Sequence, residues 1–238
     1  MGQIFTIIFY QPVLNLLVFF YNILPGHDIG LVIVALTVAI KLILWPLSQR
    51  ALKSQQAISR LQPKIKELQA KYKDNKEEQG RAMMALYREE KVNPTSSCLP
   101  LLVQLPFLWA VFKVFRDGLS NKSLTLVYPF ISRPELLETT SFGIIDLSQP
   151  NILLAILTGV AQYFQARTAT RHNPPASGGG QAEELASMMN KQMLYFMPVM
   201  TVVICWSLPS GLALYWFLSS VLTVLQQIYW FKKHNNSN

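Results

Sequence analysis

Charge is scarce in this 238-residue chain, since Asp, Glu, Lys and Arg make up 14% of its residues, against about 25% in an ordinary soluble domain. None of the four occurs in positions 1–27, whereas positions 50–91 contain seventeen. Hydrophobic residues make up 51% of the chain. This excludes disorder, because a disordered chain combines low hydrophobicity with high charge. The uneven distribution predicts apolar membrane spans separated by charged segments.

Cysteine and histidine are also scarce. Cys98 and Cys205 are too few for a disulfide framework or a metal cluster. The three histidines, His27, His172 and His234, lie outside the apolar blocks, so neither an intramembrane serine protease nor a metalloprotease is expected. A P-loop is missing too, and the sequence predicts no enzyme, no metal and no cofactor. The first residues lack a positive region and a cleavage site, so no removable signal peptide is expected.

Five apolar blocks are each about 17–21 residues long, close to the roughly 20 residues that cross a bilayer as a helix. They are the segments 28–48, 97–117, 150–167, 192–208 and 211–231. The last two are separated by Pro209 and Ser210 alone, which predicts antiparallel neighbours. The expected fold class is therefore an all-α polytopic membrane protein with five transmembrane helices.

Basic residues predict the orientation of these spans. The segments 49–96 and 168–191 with their flanks, together with the tail 232–238, carry sixteen Lys and Arg residues, and the loop 118–149 carries two. Because basic loops stay in the cytoplasm, the N-terminus is expected outside and the C-terminus inside. The sequence NPPASGGG at 173–180 predicts a flexible linker within the cytoplasmic loop 168–191.

The segment 1–27 is apolar but contains Pro12, Asn15 and Asn22. Pro12 suits the first turn of a helix of about a dozen residues, which is too short to cross. The segment is therefore interpreted as an interfacial helix on the outer face. A frayed transmembrane helix is the alternative.

The segment 49–96 is expected to form a cytoplasmic helical hairpin. Its apolar residues repeat at spacings of 3, 4, 3 and 4, and they are Ile58, Leu61, Ile65, Leu68 and Tyr72. Asp74 and Asn75 interrupt the pattern, and Met83, Met84 and Tyr87 form a second apolar face. Eleven basic and six acidic residues give positions 50–91 a net charge of +5. The hairpin either orients the protein by its charge alone or binds anionic lipid or ribosomal RNA.

Lys41 lies deep in an otherwise apolar block, thirteen residues after Asp28 and nine before Arg50. A lysine at such a depth costs roughly 2.5–3.5 kcal/mol on insertion scales. One interpretation is that its long stem reaches the inner surface. The other is that it faces a polar cavity in the bundle, as deep ionisable residues usually do.

Further polar residues within the spans are candidates for lining the same cavity. They are Gln104, Thr158, Gln162, Gln165, Ser219, Ser220 and Thr223. Gln162 and Gln165 share one helix face, as do Ser219 and Thr223. No acidic residue lies in the middle of a span, so a cavity containing Lys41 is positively charged and favours an anionic guest.

The run LPSGLALYWFLSSVLTVLQQ at 208–227 resembles the last-hairpin signature of the YidC-type membrane protein insertases and their mitochondrial and chloroplast relatives. Three other stretches agree in order, namely AIKLILWPL, LQPKIKELQAKY and MMALYREEKVNPTSSCLPLLVQLPFLWAVF. The resemblance extends over about residues 10–232. It implies a five-helix core in the bacterial inner membrane, with a positively charged groove open to the cytoplasm and to lipid. The groove cation of the family is usually an arginine, and the matching position here is Lys41.

The resemblance also implies the function, which is to accept nascent transmembrane segments in the groove and release them laterally into lipid without an energy source. The hairpin within 49–96 is then a mobile element needed for insertion. The predicted groove residues are Lys41, Gln104, Gln162, Gln165, Trp216, Ser219, Ser220 and Thr223. Nascent membrane proteins and lipids are the expected partners, a ribosome and a Sec-type translocon are further candidates, and DNA is not expected. A small-solute transporter or anion channel with Lys41 as its selectivity charge, and a structural assembly subunit, are the alternatives.

Overall fold

The structure is a computed structural model that describes residues 2–73, 75–93, 99–116, 124–134, 137–171, 188 and 191–235. Its helices are α1 (Gln3–Ile23), α2 (Ile29–Ile43), α3 (Trp45–Lys71), α4 (Lys76–Glu89), α5 (Leu99–Arg116), α6 (Ile152–Arg171), α7 (Gln192–Trp206) and α8 (Ser210–Asn235). Strands β1 (Thr140–Ser141) and β2 (Ile145–Asp146) form the one sheet among these residues. The predicted all-helical class is confirmed.

Among the residues that the structure describes, two helices are long and apolar enough to cross a membrane, α1 with 21 residues and Ser210–His234 of α8 with 25. A third span results if α2 and α3, which are separated by a break at Leu44, are counted together. The five spans and their boundaries therefore remain a prediction. The linker at 173–180 and the predicted helix breaker Asp74 lie outside the described residues.

Helix α1 is longer than the dozen residues expected, because it continues through Pro12. A wider π-helical turn at Thr6–Tyr10 precedes the proline, and the amide of Gln11 donates to the carbonyl of Thr6. In a regular α-helix a proline ring clashes with the carbonyl of the residue four positions earlier. For Pro12 that residue is Ile8, which lies inside the wider π-helical turn. Helix α7 repeats this arrangement before Pro198.

The polar residues of α1 bind the loop that follows α5. The Asn15 side chain donates to the carbonyl of Leu126 at 3.2 Å and accepts from the amide of Tyr128 at 2.7 Å. Asn22 donates to the carbonyl of Ser132 at 2.7 Å. The two asparagine side chains thus supply hydrogen-bond partners to backbone groups of the loop, which are not paired in a β-sheet. The helix continues through both residues. The interfacial location of the segment 1–27 remains a prediction.

The chain forms two compact units. The first comprises Met1–Leu44, Leu101–Ala161 and Val199–Leu222, and the second comprises Trp45–Pro100, Gln162–Pro198 and Thr223–Asn238. The core of the first unit joins α1, α2, α5 and α8 with the loop after α5. Its fully buried members include Leu14, Leu17, Ile33, Leu36, Ala110, Val111 and Tyr215.

In the second unit, α3 and α4 pack against each other through residues of the predicted apolar pattern. Leu61 and Ile65 are buried at their contact as predicted, and Met83 and Tyr87 pack around them. On α4 the buried residue is Leu86, which the prediction did not include, whereas the predicted Met84 is 51% exposed. Both helices are amphipathic, with charged residues on the face opposite this small core. They pair because burying the apolar faces against each other removes these side chains from water. Their cytoplasmic location remains a prediction.

Polar contacts cap α4 and link its end to α3. The Asn75 side chain caps α4 by accepting from the amide of Glu78 at 3.2 Å, and it replaces the hydrogen bond that the first helical turn lacks. Lys64 Nζ and Glu90 Oε1 are 2.5 Å apart, and the hydrogen bond and charge of Glu90 raise the pKa of Lys64. The ion pair is exposed, so it orients the helices more than it stabilises them.

Candidate functional site

Lys41 lies in the last turn of α2 and is half-buried. The buried face of this helix contains Ile33, Leu36 and Ile40, whereas Leu42 is 63% exposed. Lys41 therefore emerges at the border between the packed face and the exposed face of α2.

The sequence predicts an uninterrupted span over 28–48, but α2 ends at Ile43 and α3 begins at Trp45. Pro46 explains the new helix, because proline is favoured in a first turn and has no amide to donate. The break places Lys41 in the last turn of α2, where the amide of Leu44 donates to the carbonyls of Ile40 and Leu42. The negative end of the helix dipole thus favours the charge on Lys41, a contribution that the sequence analysis did not include.

Gln104 is held by a residue that the sequence analysis did not single out. Its Nε2 donates to the hydroxyl of Tyr215 at 2.7 Å, and Tyr215 is 1% exposed. The contact joins α5 to α8 within the first unit. The sequence signal was a single glutamine in an apolar helix, which needs a buried partner.

Replacing Tyr215 by phenylalanine tests whether this contact matters to the fold. The change removes the acceptor of the Gln104 amide, so we expect the free energy of unfolding to fall by about 1 kcal/mol. Thermal unfolding in detergent should show a decrease of about 2–4 °C. Tyr163→Phe in α6, where the tyrosine is half-buried, is the matched control. Equal decreases in the two variants would contradict the assignment.

Trp216, Ser219 and Ser220 lie on α8 in the same unit as Lys41 and Gln104. The two serines are buried, at 6% and 2% exposure. The half-buried Trp216 packs against a small cluster that includes Cys205 and Ala213. Trp216 thus has a packing role in addition to the predicted groove role.

Thr158, the other candidate in this unit, is a packing residue. It is fully buried, and its single hydroxyl proton is shared between the carbonyls of Leu154 at 2.7 Å and Ala213 at 3.0 Å. Its hydrogen bond across to α8 uses its donor within the protein. Thr158 is therefore not part of the proposed groove.

Gln162, Gln165 and Thr223 lie in the second unit and are half-buried. The structure therefore divides the predicted groove residues between the two units, with five in the first and these three in the second. The two glutamines are one turn apart on α6, as predicted from their spacing.

Polar side chains that the sequence analysis did not select are buried in the second unit. The buried atoms without a hydrogen-bond partner among the described residues are Gln56 Nε2, Gln62 Oε1, Gln69 Oε1, Gln226 Nε2, Gln227 Oε1 and Trp230 Nε1. Buried polar groups are normally satisfied by protein or water. These atoms make the second unit suited to hold water or a polar guest. In the described part of the chain, no group of three or more His, Cys, Asp or Glu side chains is placed to hold a metal ion.

Known proteins match this chain over most of its length. The sequence pattern of the family described as 60Kd inner membrane protein matches residues 19–237. A membrane protein insertase YidC from Endomicrobium trichonymphae is 34% identical over 221 residues, which are 92% of this chain and 38% of the relative. The protein of the same name from Fusobacterium nucleatum subsp. nucleatum is 34% identical over 206 residues, 87% of each chain.

A third relative, membrane protein insertase YidC from Francisella philomiragia subsp. philomiragia, is 36% identical over 200 residues, which are 83% of this chain and 31% of the relative. The chain thus spans less than two fifths of the length of the first and third of these relatives, and most of the second. The matches and the apolar helices support the expected inner-membrane location. The resemblance seen in the sequence motifs is confirmed, and the chain belongs to the family of the 60Kd inner membrane protein, which includes the YidC membrane protein insertases.

Proposed function

We propose that this protein inserts other membrane proteins by receiving a nascent transmembrane segment, sheltering its polar flank in a hydrated groove and releasing the segment sideways into lipid. The observation that carries the proposal is Lys41, a half-buried cation at the end of an apolar helix, in a chain whose relatives are named membrane protein insertases.

The client supplies the free energy in this mechanism. Each Leu, Ile, Phe or Val at the centre of a new span contributes roughly −0.3 to −0.6 kcal/mol, and each Asp in the bilayer centre costs roughly 2.5–3.5 kcal/mol. A segment of about 20 such apolar residues therefore gains at most about 6–12 kcal/mol, which is comparable to or larger than the roughly 5–7 kcal/mol that a flank with two acidic residues costs. The protein needs only to lower the barrier that the flank meets.

The groove lowers this barrier by charge and by hydration. Lys41 supplies the positive charge that attracts an acidic flank. Gln162, Gln165 and Thr223 offer polar side chains at half-buried positions of the second unit. The unpartnered buried amides of that unit support a wet interior, because water is the simplest partner for such groups.

Release into lipid follows from the apolar surfaces of α6 and α8. On α6, Leu153 is 62% exposed and Val160 is 47% exposed. On α8, Leu225 is 56% exposed and Ile228 is 51% exposed. A client segment that leaves the groove meets side chains as apolar as lipid tails, so nothing retains it.

The α3–α4 pair acts in this proposal as a mobile cytoplasmic hairpin that insertion requires. Its net positive charge suits anionic lipid and ribosomal RNA. Nascent membrane proteins are the substrates, and the ribosome and a Sec-type translocon are the further partners that we propose.

Reconstitution tests the function. The purified chain is placed in liposomes, and a single-span client with a short acidic N-terminal tail is synthesised in their presence. We expect protease-protected client only in vesicles that contain the protein, and no protection for a client whose apolar segment is replaced by a polar one. Anion flux without any client, together with no client insertion, would contradict the proposal.

The proposed orientation is tested by labelling single cysteines in intact cells. Glu138 and Asn75 are both exposed and lie on opposite sides of the predicted membrane. A cysteine at position 138 should react with an impermeant reagent from outside, whereas one at position 75 should react only after permeabilisation. The reverse pattern would overturn the orientation assigned from the basic residues.

A further inference from the structure

The turn between β1 and β2 presents two large apolar side chains outward. Phe142 is 70% exposed and Ile144 is 83% exposed. No charged residue occurs in positions 139–145. The carboxylate of Asp146, which follows, accepts from the amide and hydroxyl of Ser148 at 2.9 and 2.7 Å. The tip of the hairpin is therefore an uncharged apolar surface.

The backbone conformation of this turn does not favour a phenylalanine, so the presence of Phe142 needs another explanation. Phe142 and Gly143 have φ values of 50° and 67°, and the amide of Ile144 donates to the carbonyl of Ser141 at 3.0 Å. Two consecutive left-handed residues favour Asn, Asp or Gly at the first position. Phe142 neither eases this backbone conformation nor fills the core, so its ring is suited to a contact outside the chain.

Hydrogen bonds fix the hairpin to the first turns of two helices within the first unit. Asp28, the N-cap of α2, accepts from the hydroxyl of Ser141 at 3.0 Å and from the amide of Phe142. At the other strand, the carbonyl of Leu147 accepts from the amide of Gly211 in α8 at 2.9 Å. The apolar tip is thus held at a defined level relative to the start of α8.

If α8 crosses the bilayer, that level is the boundary of the membrane. Helix α8 has the length and hydropathy of a span from Ser210 onward, so its first turn lies where the hydrocarbon region begins. Aromatic side chains are enriched at this depth. We propose that Phe142 and Ile144 insert into the interfacial layer of the bilayer, among the glycerol groups and upper acyl chains, and anchor the loop there.

This anchor does not depend on the insertase function, since it requires only that α8 crosses the membrane. Lipid accounts for the turn better than a protein partner does, because the hydrogen bonds hold the tip at the lipid boundary and the tip lacks charged groups for partner recognition. The contact would fix the depth of the start of α2, whose other end carries Lys41.

An environment-sensitive fluorophore tests the contact. Single cysteines are placed at positions 142, 144 and, as the matched exposed control in the same loop, 138, in full-length protein carrying Cys98→Ser and Cys205→Ala. Each is labelled with a nitrobenzoxadiazole group. The proteins are reconstituted in phosphatidylethanolamine–phosphatidylglycerol vesicles, with or without a nitroxide on the upper acyl chain of the lipid.

We expect blue-shifted emission and several-fold stronger nitroxide quenching at positions 142 and 144 than at 138. These differences should not change when the protein is diluted into more lipid. Water-like emission at 142 and 144 with no quenching by the lipid nitroxide would overturn the proposal. A blue shift that appears only at high protein density, without lipid quenching, would assign the surface to a second copy of the chain and would also overturn it.

Discussion

Lys41→Glu is expected to reduce insertion of a client with an acidic flank by more than a hundredfold. A charge pair about 10 Å apart at an effective dielectric constant of about 20 contributes about 1.7 kcal/mol. Removing the charge in Lys41→Ala therefore costs roughly fifteenfold in rate, and reversing it costs about the square of that factor. The measurement is the initial rate of client protection in liposomes.

The same series contains its controls. Lys41→Arg should keep most of the activity, because both side chains carry one positive charge. A client with an uncharged flank should be nearly insensitive to Lys41→Ala, and salt should weaken the effect only partly, since a half-buried charge is screened less than an exposed one. Lys53→Glu reverses an exposed charge of α3 and should have little effect. If folded Lys41→Ala protein inserts every client at the wild-type rate, Lys41 extends to the membrane surface and contributes no groove charge.

Gly30→Ala is expected to cause the largest loss of stability among the conservative substitutions considered. A Cβ at this position would overlap the Ser141 hydroxyl and lie 2.9 Å from Ser141 Cβ. The overlap would push the hairpin away from Asp28 and break the hydrogen bond that Ser141 donates to it. Overpacking of this kind costs about 1–3 kcal/mol, and thermal unfolding should shift downward by roughly 2–12 °C.

A double-mutant cycle makes this prediction specific. Ser141→Gly alone should cost about 1 kcal/mol for its lost hydrogen bond. The double variant should lose much less stability than the sum of the two single losses, because the overlapping Ser141 side chain is gone and only Asp28 Oδ1, at 3.0 Å, still crowds the added Cβ. Gly80→Ala in α4 is the control, since no atom lies within 4 Å of the added Cβ, and it should raise stability slightly. Additive losses in the double variant would show that Gly30 acts through something other than Ser141.

Sequence periodicity predicted the helices better than it predicted their ends. The pattern of Leu61 and Ile65 identified the packed face of α3, because amphipathic periodicity depends on local spacing alone. The break at Leu44 was not foreseen, since hydropathy remains high through Trp45. The hairpin at 140–146 was also missed, because two-residue strands are stabilised by distant partners such as Asp28.

Polar residues in apolar segments were the hardest to interpret from sequence. Asn15 was taken to interrupt a helix, but it binds the loop backbone at Leu126 and Tyr128. Thr158 was a groove candidate, but it hydrogen-bonds across to α8. A sequence shows that a buried polar group needs a partner. It does not show whether that partner is protein, water or a client, because this depends on tertiary contacts.

Photo-crosslinking during insertion tests the central claim most directly, because it asks where the flank of the client passes. A benzophenone amino acid is placed at two half-buried groove positions, Gln162 in α6 and Thr223 in α8. The matched controls lie two residues away on the same helices, at Val160 and Leu225, which are 47% and 56% exposed. We predict that the acidic flank crosslinks to positions 162 and 223 before the apolar segment reaches 160 and 225. Crosslinks of the flank to the exposed positions alone would contradict passage through a groove.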